Sequence, residues 1–203
     1  PLENNADYFD TTTRLLAICT LDGRYRDKVE PLANYTNEYG LIATRIEIEA
    51  RHLVKLCKVG SQLSKPMGRP LSPGERDYLL KLGPNLTLDQ AIRIKNIEET
   101  TEHDVDALVR AFREWLEGTS MSDLLPLVHL PLTSEDVNNL AYRLMMARAR
   151  DGVIVPTLDR VTDTLIEPAQ IYKDDPMLAR THGQAAAGST LGKELIVFAN
   201  RLN

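Results

Sequence analysis

The sequence predicts an all-α protein, in which a small helical N-terminal domain is followed by the beginning of a bundle of long helices. Segments with apolar residues at helical spacing recur along the 203 residues, and most of them begin at a capping residue. Alternating patterns typical of strands are almost absent. Between residues 154 and 169 the apolar spacing approaches a heptad rhythm, which is typical of a helix packed nearly parallel to its neighbours.

The composition is that of a folded globular protein, with 43% hydrophobic and 26% charged residues. A net charge of −5 argues against a nucleic-acid-binding domain, which normally carries a basic face. Charges interrupt every apolar stretch, so we expect no membrane span. Cys19 and Cys57 are too few and too far apart for a disulfide framework or a metal site, which favours a reducing, cytoplasmic location. No two histidines have metal-ligand spacing, and we expect neither a metal nor a cofactor.

The N-terminal domain is predicted to cover residues 1–122, with residues 1–16 as a flexible tail. A long helix is predicted over 38–56, and three shorter capped helices follow it. Gly118 suits the position just past the end of the last of these helices. The predicted capping residues of the four helices are Thr36, Ser72, Thr87 and Thr101.

Residues 123–203 are predicted to begin a central helical-bundle domain that is incomplete. Ser134 can cap a helix that runs to Arg150 and is closed by Gly152. The next helix is expected to kink or end at Pro168, and the last runs from about Thr190 to the end of the chain. The apolar stripe of the penultimate helix consists of Ile154, Leu158, Val161, Leu165 and Ala169.

The segment Arg180-Thr181-His182-Gly183-Gln184 places a histidine on a predicted loop immediately ahead of a helix start at Gly188 to Glu194. An imidazole exchanges protons near neutral pH, and a helix N-terminus favours anions. His182 is therefore a candidate for proton transfer, although a single histidine is more often structural.

Three upstream segments also place polar residues at helix starts. In Asp22-Gly23-Arg24-Tyr25 the guanidinium and the phenol could hold a phosphate, or the segment could be a turn with a solvated arginine. In Glu102-His103-Asp104 the imidazole could contact a substrate while Asp104 orients it, or the group could simply cap its helix. Thr133 and Ser134 could form a neutral anion cradle or an ordinary N-cap.

The two remaining histidines are assigned no chemistry. His52 lies among charged residues of the first long helix, and we interpret it as a surface residue. His129 lies five residues before Ser134, and a supporting or core position is favoured for it.

Taken in order, the four segments resemble the adenylosuccinate lyases, a family of the fumarase/aspartase superfamily. Gly183-Gln184 after the Thr-His pair favours this family over the related fumarases, aspartases and argininosuccinate lyases, while Ala185 departs from the proline that is common there. The resemblance implies β-elimination of fumarate from adenylosuccinate, giving AMP, and from the succinylcarboxamide ribotide, giving AICAR. It implies His182 as the catalytic acid, Arg24 and Tyr25 at the phosphate, and substrate contacts from Glu102, His103, Asp104, Thr133 and Ser134.

The resemblance also implies a homotetramer whose sites are shared between subunits. The third conserved stretch of the superfamily, a mobile loop that supplies a serine base, is not among the 203 residues. The chain is therefore expected to be an N-terminal portion of the enzyme that is inactive alone. Two alternatives stay open: a catalytically silent helical module that self-associates or binds a nucleotide, and another lyase of the superfamily such as argininosuccinate lyase.

Overall fold

The computed structural model describes residues 11–58 and 68–202, which divide into two compact units at residues 147 and 148. In the described part of the chain, helices account for nearly all regular structure, and the prediction of an all-α fold is confirmed with one short hairpin as an exception. The helices are α1 Thr11–Leu15, α2 Arg26–Thr36, α3 Glu38–Lys58, α4 Pro73–Leu82, α5 Leu88–Thr101, α6 Asp104–Leu116, α7 Ser134–Ala149, α8 Val155–Ile171 and α9 Leu191–Leu202. A 3₁₀ helix covers Ser122–Leu127, a π-helical turn covers Arg150–Ile154, and strands β1 and β2 cover Pro176–Thr181 and Gln184–Thr190.

The core of the first unit lies between α3, α4, α5, α6 and the 3₁₀ helix. Its largest fully buried apolar side chains include Phe112, Ile46, Leu53, Leu79, Ile94 and Leu108. Burial of each such side chain contributes about 1.5–3 kcal/mol relative to leaving it in water. The buried faces of these helices therefore meet in one continuous core.

Two of the four predicted helix caps are confirmed and two are wrong. Ser72 and Thr87 each form a complete capping box with the residue three positions later. Thr36 instead ends α2, and the Asn37 side chain accepts a hydrogen bond from the Gly40 N–H at 2.7 Å. Thr101 ends α5, and His103 is the N-cap of α6. In both cases the true cap lies in a connection of only one or two residues, which the sequence pattern does not separate from the helices around it.

The N-terminal tail predicted for residues 1–16 differs in part from the structure. Residues 1–10 lie outside the described residues, whereas α1 covers Thr11–Leu15. Arg14 donates two hydrogen bonds to the carboxylate of Asp27, at 2.8 and 2.7 Å. This pair ties α1 to the first turn of α2.

Gly152 does not close a helix. The chain continues from α7 through the π-helical turn directly into α8, and Val155 N–H donates to the Arg150 carbonyl. Pro156 lies in the first turn of α8, where a proline is tolerated because no hydrogen bond of that helix needs its missing N–H. Pro168 is accommodated within α8, which ends three residues later at Ile171.

In the second unit α8 packs against α9. Gly192 allows this approach, because a Cβ atom there would collide with the carbonyl of Ala169 and the backbone of Lys173. Helix α9 begins at Leu191, close to the prediction, and the Thr190 hydroxyl caps it by accepting a hydrogen bond from the Lys193 N–H at 3.1 Å. Among the described residues, no helix is both long enough and apolar enough to cross a membrane.

Candidate functional site

Arg24 and Tyr25 lie on an exposed turn just before α2. Gly23 is buried there, and a Cβ atom at this position would lie 2.6 Å from the Arg14 carbonyl oxygen. The Arg24 guanidinium stacks over the Tyr25 ring, 5.6 Å from its centroid, while Asp22 pairs with Arg26 at 3.0 Å. No carboxylate of the described residues pairs with Arg24, so its fork of donors can meet a phosphate.

Glu102, His103 and Asp104 form the sharp connection between α5 and α6. Glu102 adopts a left-handed conformation, with φ of 51°. His103 is half exposed, and its Nδ1 accepts a hydrogen bond from the Asp106 N–H at 3.2 Å. That bond leaves Nδ1 without a proton at this cap, and the ring's other nitrogen, Nε2, then carries the N–H. The structural interpretation of His103 as a cap is therefore confirmed, and a substrate contact through Nε2 is compatible with it.

Asp104 is held from the interior by Arg45 of α3. Arg45 Nη2 lies 2.7 Å from Asp104 Oδ2, and the arginine side chain is only 4% exposed. Burial alone would raise the pKa of the Asp104 carboxyl, but the hydrogen bond from the Val105 N–H and the charge of Arg45 lower it. Asp104 is thus ionised at neutral pH and fixed in orientation.

Helix α7 begins at Ser134 itself, so Ser134 is not the cap that was predicted, and Thr133 precedes the helix. The cradle that these two residues form is not neutral. The Thr133 N–H and hydroxyl donate to Asp136 Oδ2 at 2.8 and 2.9 Å, and the same two bonds lower the pKa of Asp136. A carboxylate of the chain therefore occupies the Thr133 donors, which corrects the expectation of free donors there. The Ser134 hydroxyl makes no hydrogen bond within the described part of the chain and stays open to an incoming anion.

One face of α3 contacts Asp104 and the residues that precede Thr133, and these contacts were not predicted from the sequence. Arg45, Glu49 and His52 are spaced by four and three residues and therefore lie on one side of the helix. Arg45 binds Asp104, and Glu49 Oε1 lies 2.6 Å from His129 Nδ1.

His52 completes this face, because its Nε2 lies 2.7 Å from the Leu130 carbonyl oxygen. His52 is therefore half buried and bonded, not a free surface residue, while His129 has the supporting position that was expected. The sequence does carry a signal for this face of α3, namely polar residues at helical spacing. A surface face has the same pattern, so only the tertiary contacts reveal the difference.

His182 lies in the second unit at the tip of the hairpin formed by β1 and β2. Thr181 pairs with Gln184, which leaves His182 and Gly183 as a two-residue loop with φ of 50° and 73°. Positive φ at both positions is typical of a type I′ hairpin turn. His182 is exposed, as the sequence predicted.

The predicted position of His182 immediately ahead of a helix is wrong. Helix α9 begins at Leu191, after the seven residues of β2. At about 3.3 Å per residue, a strand of this length puts roughly 20 Å between the hairpin tip and the helix start. The dipole of α9 therefore does not act on the imidazole.

The chain is similar to known lyases over most of its length. It is 39% identical over 189 residues to the adenylosuccinate lyases of Haemophilus influenzae and of Escherichia coli K12, and 37% identical over 191 residues to that of Dictyostelium discoideum. Each alignment covers 93% of this chain and 41% of the relative, so the chain spans less than half the length of these relatives.

A solved structure shares the fold. The 3-carboxy-cis,cis-muconate lactonizing enzyme from Pseudomonas putida superposes with a TM-score of 0.61 at 21% identity, over 84% of this chain and 36% of that one. The family model described as Lyase matches residues 23–203, which include three of the four segments singled out in the sequence in full and the first of them from Gly23 onward. The chain therefore belongs to this lyase family, and it resembles the adenylosuccinate lyases among its relatives.

Proposed function

We propose that the chain is part of an adenylosuccinate lyase of purine biosynthesis. The observation that carries this proposal is the identity of 35–39% to bacterial adenylosuccinate lyases over nearly the whole chain. In the proposed reaction a base takes a proton from the carbon beside a succinyl carboxylate, and the electron pair forms the double bond of fumarate. The C–N bond breaks, and the leaving nitrogen takes its proton from His182.

The local geometry supports these roles. His182 is exposed at the tip of its hairpin, and functional residues are often carried on exposed turns and loops. Arg24 offers a guanidinium with no paired carboxylate among the described residues, which suits the nucleotide phosphate. Glu102, His103 and Asp104 would contact the substrate, and Ser134, beside Thr133, would meet an anionic group. We also propose a cytoplasmic location and no requirement for a cofactor.

Fumarate release tests the proposal. In the complete enzyme, His182→Ala should lower kcat by about 10²–10⁴-fold with little change in KM, because general-acid catalysis is lost. His182→Asn is the matched control for the turn, since asparagine tolerates positive φ but cannot deliver a proton. Both variants should be equally slow. If His182→Asn turned over at the wild-type rate, His182 would serve to shape the loop and would not transfer the proton.

The 203 residues alone are expected to release no fumarate, because the serine loop that the resemblance implies is not among them. Turnover by the chain alone at the rate of a full-length lyase would contradict this. The same assay with adenylosuccinate and with argininosuccinate separates the proposed substrate from that of the alternative lyase.

A homotetramer is proposed for the complete enzyme, and the surface of α8 and of the π-helical turn before it supports association. Ile154, Leu158 and Val161 are 39%, 39% and 45% exposed, although they form one apolar stripe. The same observation favours the second candidate, a catalytically silent module that self-associates. Light scattering of the chain should show species larger than a monomer. A complete protein that assembles and binds AMP, yet releases no fumarate, would favour the silent module.

A further inference from the structure

Glu49 is a buried acid that the proposed chemistry does not use. Its side chain is 0% exposed in the middle of α3, and Oε1 lies 2.6 Å from His129 Nδ1. The other oxygen, Oε2, has no hydrogen-bond partner within the described part of the chain. A buried carboxylate with one unsatisfied oxygen costs free energy, and an apolar side chain of similar size is often as stable or more so. Stability is therefore a weak reason for a glutamate at this position.

The partner of Glu49 lies at the start of the segment that leads to Thr133 and Ser134. His129 has a left-handed backbone with φ of 69°, an uncommon conformation for a residue other than glycine. Its carbonyl accepts a hydrogen bond from the Leu132 N–H at 2.8 Å, which closes a turn. The segment 129–133 is thus a tight loop in an unfavourable conformation, and contacts from outside must hold it.

A carboxylate beside an imidazole nitrogen fixes the proton on that nitrogen and the orientation of the ring. The tautomer in which His129 Nδ1–H donates to a Glu49 carboxylate satisfies the 2.6 Å contact between them, because a carboxylate only accepts hydrogen bonds. We propose that Glu49 is a positioning residue, whose buried carboxylate fixes the Nδ1–H form of His129 and so holds the loop that presents Ser134 to an anionic substrate. This inference rests on the proposed lyase function.

The contact itself can be measured without activity. In the chain labelled with ¹⁵N-histidine, the ring resonances of His129 should show a proton on Nδ1, opposite to the Nε2–H form preferred by imidazoles in water. Glu49→Met, which cannot accept a hydrogen bond, should abolish this preference, whereas Glu49→Gln should retain it through the amide oxygen. Glu47→Gln is the matched control, because Glu47 is also buried on α3 but binds Arg51 at 2.9 Å. An unchanged His129 signal in Glu49→Met would overturn the proposal.

The functional consequence needs the complete enzyme. Glu49→Met should lower kcat/KM for adenylosuccinate by about 10–100-fold, mainly through KM, since misplacing a binding group by about 1 Å has effects of this size. Glu49→Gln should recover most of the loss, and Glu47→Gln should match the wild type.

The resonance measurement and the kinetic measurement together distinguish a failure of the positioning role from a failure of the lyase function. A shifted tautomer with unchanged kinetics would overturn the positioning role and leave the lyase function standing. A wild-type enzyme without any fumarate release would overturn both the function and the role that depends on it, while the resonances would still report the contact. If Glu49→Met fails to fold, the test rests on Glu49→Gln. In that variant His129 must keep its Nδ1 proton and the enzyme must keep most of its turnover, and loss of either would contradict the proposal.

Discussion

Asp104→Asn should lower the free energy of unfolding of the first unit by about 2–3 kcal/mol, because it leaves a buried cation without a counter-charge. The carboxylate holds Arg45 at 2.7 Å, and Arg45 Nε already lacks a partner among the described residues. Breaking a buried ion pair by removing one member typically costs about 3–5 kcal/mol. The loss expected for Asp104→Asn is smaller, because the side chain of Asp104 is 42% exposed and water screens part of the interaction.

Urea unfolding followed by tryptophan fluorescence measures this loss. Trp115 is the only tryptophan of the chain, and it lies on α6, the helix that begins at Asp104. Its emission therefore reports the unfolding of the unit that contains the ion pair. With a urea slope of about 2 kcal/mol per molar, the midpoint should fall by about 1–1.5 M.

The loss should depend on pH with a defined sign. The pKa of the Asp104 carboxyl lies below its ordinary value of 3.8 in the folded chain. A carboxyl group whose pKa is lowered by folding stabilises the fold fully above its unfolded pKa, and this contribution disappears as the pH falls through the folded value. The difference between the wild type and Asp104→Asn should therefore be constant near neutral pH and shrink below about pH 4.

Two further variants test the reasoning. Asp106→Asn removes a carboxylate from the same helical turn, but its partner Arg110, at 2.9 Å, is exposed, so the midpoint should hardly move. The double variant Arg45→Met, Asp104→Asn should recover much of the loss, because no buried cation remains. A midpoint for Asp104→Asn equal to that of the wild type, or a double variant no more stable than the single one, would refute the role assigned to this pair.

Three other outcomes are expected. Phe112→Ala, at a fully buried position, should cost about 3–5 kcal/mol in urea unfolding. Glu75→Ala removes the bidentate partner of Arg69, at 2.7 and 3.0 Å, and should lower the thermal midpoint. Since Arg69 holds the pKa of Glu75 well below its usual range, that loss should vanish in acid. Gly183→Val should reduce amide protection across the hairpin because φ is 73°, whereas Gly188→Val, with equally open surroundings and no positive φ, should not.

Much of the helical structure was predictable because its signals are local. The capping boxes at Ser72 and Thr87 need only four consecutive residues, and both are present as predicted. Gly118 has the positive φ of 73° expected just past a helix end. The hairpin was missed because β2 consists of small, exposed residues without alternation, and its pairing with β1 depends on the turn at His182.

For the candidate site, the residue types and their positions on exposed turns could be predicted, but their partners could not. Two of the contacts are local: Asp136 accepts hydrogen bonds from Thr133, and His103 caps its own helix by accepting from the Asp106 N–H. The three-residue spacing of each pair could have suggested them. The bonds from Arg45 to Asp104 and from Glu49 to His129 join positions far apart in the chain. No pattern within one helix distinguishes such residues from a solvated polar face.

By itself, the sequence determined that this chain is helical, where most of its helices begin, and which lyase family its motifs resemble, because capping, periodicity and motif order are properties of neighbouring residues. Only the tertiary structure decided that one polar face of α3 is turned inward to hold Asp104 and His129. Burial and ion pairing depend on which segments meet after folding, and a helix carries the same residues whether that face meets water or another part of the protein.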